Sequence, residues 1–279
     1  LSVLPQPAQG KEPNPLVTVV IPTHNYGQYI SQTIESVLEQ TYREIEVIVV
    51  DDGSTDNTKE IVTNYPSVSY VYQEHKGNLT PARAMNVGIK LSHGAYICCI
   101  GADDEILPKY IEKCLFEIRK DDRIGFVWTG KQEFGESCQV YLPRKLWFRS
   151  SFLGGVGGAL GTMLMRREAC VETPYDESLH GREDWDKAIR MIDKGWKWRT
   201  IKETLYLARV HKKNLTLLVH EDIYVHELEK KYPLMRPYLM VKSFFKATVL
   251  LLKTPKVFLL KLWNKRLCKY FNLRPLSQI

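Results

Sequence analysis

Two stretches near the N-terminus gather apolar, mostly β-branched residues into short runs that break off in polar ones. The first is Val17-Thr-Val-Val-Ile-Pro-Thr-His-Asn25. The second is Glu46-Val-Ile-Val-Val-Asp-Asp-Gly-Ser-Thr-Asp56. Apolar runs of this length predict strands buried on both faces of a parallel sheet. Between them Ile30, Ile34, Val37 and Leu38 recur at helical spacing, which predicts an amphipathic helix over 28–40. A helix over 57–64, capped by Ser54 or Asp56, and a third strand over 67–73 are expected next. This alternation is the first half of a doubly wound sheet. Open α/β sheets bind ligands at the carboxyl ends of their strands, so Pro22, Thr23, Asn25, Asp51 and Asp52 are expected to line one crevice.

The pattern continues with a helix over 80–90, in which Thr80 is the cap and Pro81 takes the first helical position. A strand over 94–100 ends in Gly101-Ala-Asp-Asp-Glu105, a second acidic strand terminus. A helix over 108–120 and strands over 124–129 and 162–166 follow. Residues 130–150 read as irregular, and 152–161 as glycine-rich. Gly181-Arg-Glu-Asp-Trp-Asp186 opens a helix to Ile192, and 196–210 supplies the last strands. The chain divides into a loose lead-in (1–15), an α/β domain (16–220) and a helical tail (221–279).

Charge changes the picture in one place. The net charge is +7, yet from Val241 onward there are nine Lys or Arg and no acidic residue, leaving 30 basic against 32 acidic groups elsewhere. A near-neutral body argues against nucleic acid as a partner and towards a basic tail with a partner of its own. In the tail Lys242, Lys246 and Lys253 share one helical face, with Phe244, Phe245 and Leu252 opposite. Such a basic, aromatic-bearing amphipathic segment suits an anionic membrane surface; packing on the core or on another subunit is the alternative. The longest apolar run is too short to span a bilayer. No leader pattern is read at the N-terminus, and a natural start upstream of Leu1 stays open. The six cysteines include no Cys-x-x-Cys pair, so we expect a reducing compartment, with no disulfide framework and no zinc site.

The chemistry is carried by acids. Asp51-Asp52 and Asp103-Asp104 close two strands, and two such clusters beside one crevice repel unless something positive lies between them. A divalent cation carrying a diphosphate is one solution, since hard oxygen ligands suit Mg²⁺ or Mn²⁺. A capped turn is the plain alternative for Asp51-Asp52-Gly53-Ser54. Arg83, on the first turn of its helix, can reach a phosphate or a surface acid. Glu183-Asp184 open a helix whose dipole favours ionised carboxylates; general base and helix-capping acid both fit Asp184.

With these residues in order, the sequence resembles the family 2 glycosyltransferases of the GT-A fold. The resemblance covers 17–216. It rests on six motifs in order: Val-Val-Ile-Pro-Thr-His-Asn-Tyr (19–26), Val-Val-Asp-Asp-Gly-Ser-Thr-Asp (49–56), the Pro-Ala-Arg-Ala-Met-Asn-Val-Gly helix (81–88), Ala-Asp-Asp-Glu-Ile-Leu-Pro (102–108), Gly-Arg-Glu-Asp-Trp-Asp (181–186) and Leu-Ala-Arg-Val-His (207–211). It implies a Rossmann-like mixed sheet with helices on both faces, a nucleotide-binding half (16–105) and an acceptor half (106–220). It implies inverting transfer from a nucleotide-sugar donor, UDP- or dTDP-linked, with Mn²⁺ or Mg²⁺, to a saccharide or lipid-linked acceptor in cell-surface polysaccharide or glycolipid synthesis. Carried over residue by residue, Pro22, Thr23, Asn25, Asp52, Arg83 and Asp103 hold the nucleotide, and Asp103 with His211 binds the metal. Asp184, aided by Glu183, deprotonates the acceptor, Trp185 lies on the acceptor side, and Arg209 closes the donor site. Gly101 departs from the family pattern, which has a carboxylate there; Asp104 can substitute, and a non-catalytic nucleotide- or sugar-binding homologue is the alternative. A lipid-linked acceptor and the basic tail together place the protein in the cytoplasm, peripheral on the cytoplasmic face of a membrane.

Overall fold

In the computed structural model, residues 14–77, 80–143, 163–212, 214 and 230–232 are described. β1 (Val17–Thr23) is buried along its whole length, and β2 (Ile45–Asp51) from Val47 onward. The two run parallel, with Val17 beside Ile45 and Thr23 beside Asp51. β3 (Val68–Tyr72) lies parallel on the outer side of β2, and β4 (Tyr96–Cys99) parallel on the other side of β1. β5 (Glu105–Ile106), β6 (Ile124–Gly135), β7 (Val140–Tyr141), β8 (Met163–Arg166) and β9 (Lys197–Val210) extend the sheet. Its order is β3-β2-β1-β4-β8-β6-β9-β5, with β7 on β6. β8 is antiparallel to β4 and β6, β9 runs parallel to β6, and β5 is antiparallel to β9. The sheet is therefore mixed, and its parallel half holds the two acidic strand ends.

Among the described residues six helices cover it: α1 (Gly27–Leu38), α2 (Thr58–Thr63), α3 (Ala82–Leu91), α4 (Tyr110–Ile118), α5 (Arg167–Glu172) and α6 (Glu183–Asp193). Side chains alternate along a strand, so β1 feeds two cores. Val17, Val19 and Ile21 share one core with Ile30, Ile34 and Val37 of α1 and with Ile111, Cys114 and Ile118 of α4. Each such burial stabilises by roughly 1.5–3 kcal/mol. The opposite face takes α3. There a Cβ added at Gly88 would lie 2.3 Å from Val20 Cγ1, so glycine permits the close approach.

The expected strands and helices recur with shifted ends, and four features differ. Helix α3 begins at Ala82, and the Thr80 hydroxyl donates to the Leu179 carbonyl at 3.3 Å instead of capping it. Residues expected to be irregular continue β6 to Gly135 and form β7, because β9 stays paired as far as Val210. The two-residue β5 and the six-residue α5 are too short to show a period. The expected last strands form one 14-residue β9. Expectations for 1–13, for 144–162 with its glycine-rich stretch and for 215–279 outside 230–232 lie outside the described residues. No described helix is long and apolar enough to cross a membrane.

Candidate active site

Because β2, β1 and β4 are parallel neighbours, their carboxyl ends open on one edge. Pro22 and Thr23 occupy the last register positions of β1, beside Val50 and Asp51. Thr23 is 4% exposed, and its hydroxyl has no partner among the described residues. Beyond Thr23 the chain turns through Asn25 at φ 60°, a left-handed conformation that Asn tolerates better than most residues. The Asn25 side-chain oxygen accepts from the Thr55 N–H at 2.8 Å, and its own N–H donates to Ser54 Oγ at 2.8 Å. Asn25 thus ties the turn after β1 to the turn after β2.

At the end of β2 the adjacent aspartates diverge. Asp51 is buried and accepts from the Ser54 N–H at 2.7 Å and the Tyr70 hydroxyl at 2.7 Å. Asp52 faces a cluster of donors: Gln73 Nε2 at 2.5 Å, His75 Nδ1 at 2.6 Å and, more loosely, Arg83 Nη1 at 3.4 Å. Arg83 also donates to the Glu74 carbonyl at 2.7 Å. The His24 ring stacks on His75 with centroids 4.5 Å apart, and His24 Nδ1 donates to the Asp52 carbonyl at 2.8 Å. Asp52 and Arg83, both expected at the nucleotide, here pair with each other; Gln73, His24 and His75 were not singled out in the sequence. Histidines in the turn after one strand and just beyond another were the available signal.

The β4 end repeats the arrangement. Asp103 Oδ2 accepts from His211 Nε2 at 3.0 Å and from Asn214 Nδ2 at 3.0 Å. The juxtaposition follows from topology, since β5 pairs with the end of β9, Glu105 beside Leu207. Asn214 was not foreseen; it lies one turn beyond His211 and also donates to the Arg209 carbonyl at 3.0 Å. Asp104 turns inward, accepting from the Arg209 N–H at 2.9 Å and from the Tyr206 hydroxyl. It therefore anchors β9 and does not replace a carboxylate at position 101. A Cβ at Gly101 would lie 2.9 Å from Asp104 Oδ2 and 3.0 Å from Asp103 Oδ1, so these two carboxylates crowd the place where the family carries its own. Arg209 donates to the Asp103 carbonyl at 3.0 Å and to Gln32 and Glu105, with its guanidinium over Tyr29 and Phe134. It clamps β9 to α1 rather than standing open towards a donor.

The electrostatics follow from this crowding. Burial and the neighbouring Asp103 push the Asp104 carboxyl up to about 8. Burial also raises Asp103, with His211 and Arg209 pulling the other way. The Tyr26 hydroxyl is raised by burial and then by Asp103 and Asp104. Asp103 and His211 supply an oxygen and a nitrogen donor of the type Mn²⁺ takes, and ions of this class complete their shells with substrate phosphates and water. The donor set therefore fits a divalent cation, although no cluster of three His, Cys, Asp or Glu stands together among the described residues.

Glu183 and Asp184 form the first turn of α6, after Arg182 at φ 61°. Burial raises both carboxyls, and Asp184 is raised further by Glu183 and by Asp104. Asp184 thus lies within the field of Asp104 at the β4 end. Trp185, expected on the acceptor side, is 6% exposed, with the Arg182 guanidinium 5.6 Å over its ring. Its indole packs inside, because the position after the acids falls on the buried face of α6, and it offers no open platform to a sugar.

Comparison with known proteins identifies the family and the fold. The profile of glycosyl transferase family 2 matches residues 18–170, more than half of the chain. Chondroitin synthase of Escherichia coli is 29% identical over 210 residues, covering 73% of this chain and 30% of its own length. The glycosyltransferase GlyG of Streptococcus pneumoniae is 39% identical over 111 residues, 38% of this chain and 36% of its own. The chain thus spans about a third of the length of these two relatives. An uncharacterised glycosyltransferase of Methanocaldococcus jannaschii is 27% identical over 262 residues, 87% of this chain and 90% of its own. Among solved structures, Staphylococcus aureus TarS 1–349 in complex with UDP-GlcNAc superposes with a TM-score of 0.64 at 18% identity, covering 92% of this chain and 79% of that one. The mannosyltransferase PcManGT of Pyrobaculum calidifontis, in complex with GDP-Man and Mn²⁺, gives 0.59 at 18% identity, covering 92% and 82%. At these identities the structures speak for the fold, which is GT-A. The chain belongs to glycosyl transferase family 2.

Proposed function

We propose that this chain transfers a sugar from a nucleoside diphosphate sugar, a UDP- or dTDP-sugar in the first instance, to a saccharide or lipid-linked acceptor, with inversion at the anomeric carbon. The observation that carries the reading is the placing of two paired acids at neighbouring strand ends, Asp52 beside Arg83 and Asp103 beside His211, with Asp184 raised in part by Asp104. The nucleotide is held by the edge of β1 and β2, where the partnerless Thr23 hydroxyl and the Asp52–Arg83 pair supply polar contacts. Asp103 and His211 would hold Mn²⁺ or Mg²⁺, which when bound offsets negative charge on the diphosphate. Asp184 takes the proton of the attacking acceptor hydroxyl at its carboxylate, whose proton affinity is raised by burial and by Glu183. The UDP-GlcNAc of the TarS complex and the GDP-Man and Mn²⁺ of the PcManGT complex support donor class and cation. The basic tail accords with a lipid-linked acceptor at the cytoplasmic face of an anionic membrane, in cell-surface polysaccharide or glycolipid synthesis. Deleting 241–279 is expected to release the protein from anionic liposomes and to spare nucleotide binding; unchanged liposome binding would remove the membrane assignment.

Gly101 supports a second reading, a donor-binding homologue without turnover. Release of nucleoside diphosphate from a panel of UDP-, dTDP- and GDP-sugars, with a panel of acceptors, separates the two. Transfer giving the inverted anomer in wild type, and its loss in Asp184→Asn, is expected. Donor binding without transfer or hydrolysis would favour the second reading, and full activity in Asp184→Asn would remove Asp184 as the base.

A further inference from the structure

Helix α6 carries the acidic pair in its first turn, just after Arg182 in the left-handed conformation. Its second turn is firmly anchored. Lys187 is 0% exposed, and its ammonium donates to the Cys170 carbonyl at 2.9 Å and to the Thr173 carbonyl, with the Tyr175 ring 4.4 Å away. Those carbonyls belong to the carboxyl end of α5, where the last helical C=O groups lack intrahelical partners and the dipole favours a cation. One turn on, Arg190 donates to the Pro174 carbonyl at 2.6 Å and is braced by the buried Asp186 at 2.7 Å.

The segment gripped in this way is also gripped from the donor side. Asn86 of α3, three residues after Arg83, makes two bonds to the backbone of Tyr175: it donates to the carbonyl at 2.9 Å and accepts from the N–H at 2.8 Å. It also donates to Glu177 at 2.8 Å, and Thr80 reaches the Leu179 carbonyl. Residues 173–179 are therefore a strap bonded at its start by α6 and farther along by α3. A buried ammonium is a costly way to fill space; an apolar side chain would fill it and let the helix slide, whereas directed N–H groups fix the register.

We infer that Lys187 and Asn86 are positioning residues, which hold this strap and through it set the Glu183–Asp184 end of α6 against the donor-binding helix α3. The inference rests on the transferase reading above. Lys187 sits three residues after Asp184, so an error in its grip moves the acid directly, while the β1–β2 edge that holds nucleotide is untouched. Misplacement by an ångström is enough to slow transfer markedly.

The test uses the full chain carrying Lys187→Met or Asn86→Ser, with kcat for transfer from the donor the wild type uses and the Kd for UDP by calorimetry with Mn²⁺. The expected result is a fall in kcat of at least tenfold for Lys187→Met and several-fold for Asn86→Ser, with the UDP Kd within twofold of wild type. In the double variant the fall should be smaller than the product of the single falls, since both act on one strap. A purely structural role would instead move kcat and UDP affinity together, and that pattern overturns the inference, as does kcat within twofold of wild type in both variants. Where Lys187→Met does not fold, Asn86→Ser at its partly exposed site decides. A wild type that binds UDP but transfers nothing overturns the transferase reading and this inference with it; an active wild type with unaffected variants overturns this inference alone.

Discussion

The two acidic strand ends are built alike and balanced differently. In each pair one aspartate turns inward and accepts from a tyrosine hydroxyl and a backbone N–H: Asp51 from Tyr70 and Ser54, Asp104 from Tyr206 and Arg209. In each pair the other aspartate meets a histidine: Asp52 meets His75 and Asp103 meets His211. The difference lies in the remaining charge. Asp52 also has the Arg83 guanidinium, whereas Asp103 has an amide from Asn214, and Arg209 is directed at its backbone carbonyl. One end carries its own permanent cation; the other has only a histidine and an amide facing Asp103, and fits a cation brought with the substrate.

Five variants sharpen or break this comparison. The largest effect belongs to the third acidic pair, Glu183–Asp184 at the start of α6. Asp184→Asn should lower transfer by roughly 10²–10⁴-fold, the usual contribution of a general base, with UDP binding retained. Steady-state assays beside calorimetry check it, and retained activity counts against the assignment. Next come the inward aspartates. Asp51→Ala strands a tyrosine hydroxyl and a backbone N–H and should cost about 2–4 kcal/mol in urea unfolding, while Asp104→Asn should cost less than about 1 kcal/mol, because an amide resembles the protonated acid.

The same asymmetry sets a pH dependence. With its pKa pushed up to about 8, folded Asp104 holds a proton that the unfolded chain releases near the ordinary aspartate value of about 4. Its contribution to stability is fully present below that ordinary value and is lost as pH rises through about 8. Metal-free wild type should therefore lose stability between pH 5 and 9 by roughly a few kcal/mol at most, and Asp104→Asn should flatten the curve. A smaller cost, about 1–3 kcal/mol, is expected for Gly101→Ala, whose Cβ meets two carboxylate oxygens at 2.9 and 3.0 Å. Thermal unfolding with and without Mn²⁺ measures it. Smallest in magnitude, Glu183→Gln removes a negative charge that raises Asp184, so the acid limb of the kcat profile should move to lower pH. An unmoved or upward-shifted limb would mean that Asp184 does not govern it.

Much of this was legible from periodicity. The runs at 17–23 and 45–51 announce β1 and β2, and their polar ends announce the crevice, because a strand buried on both faces can change character only where it leaves the sheet. Asp52, Arg83, Asp103 and His211 were placed together by the family resemblance, and the structure brings them into two pairs. What the sequence hid were the partners across long separations. Nothing local tells that Asp51 turns inward and Asp52 outward while Asp103 and Asp104 reverse that order. Nor does a period expose Lys187, a lysine on an otherwise acidic helix start that turns out to be buried against α5. Trp185 misled because an aromatic next to candidate catalytic acids invites a sugar, and helix geometry instead sends it into the core.

The most direct test of the central claim is calorimetric titration of UDP, with and without Mn²⁺, into wild type and Asp103→Ala. The account requires binding that Mn²⁺ strengthens in wild type and a loss of that strengthening in the variant. Binding that is indifferent to Mn²⁺, or equally strengthened in Asp103→Ala, would contradict the claim that the β4 end is a cation site completed by the donor.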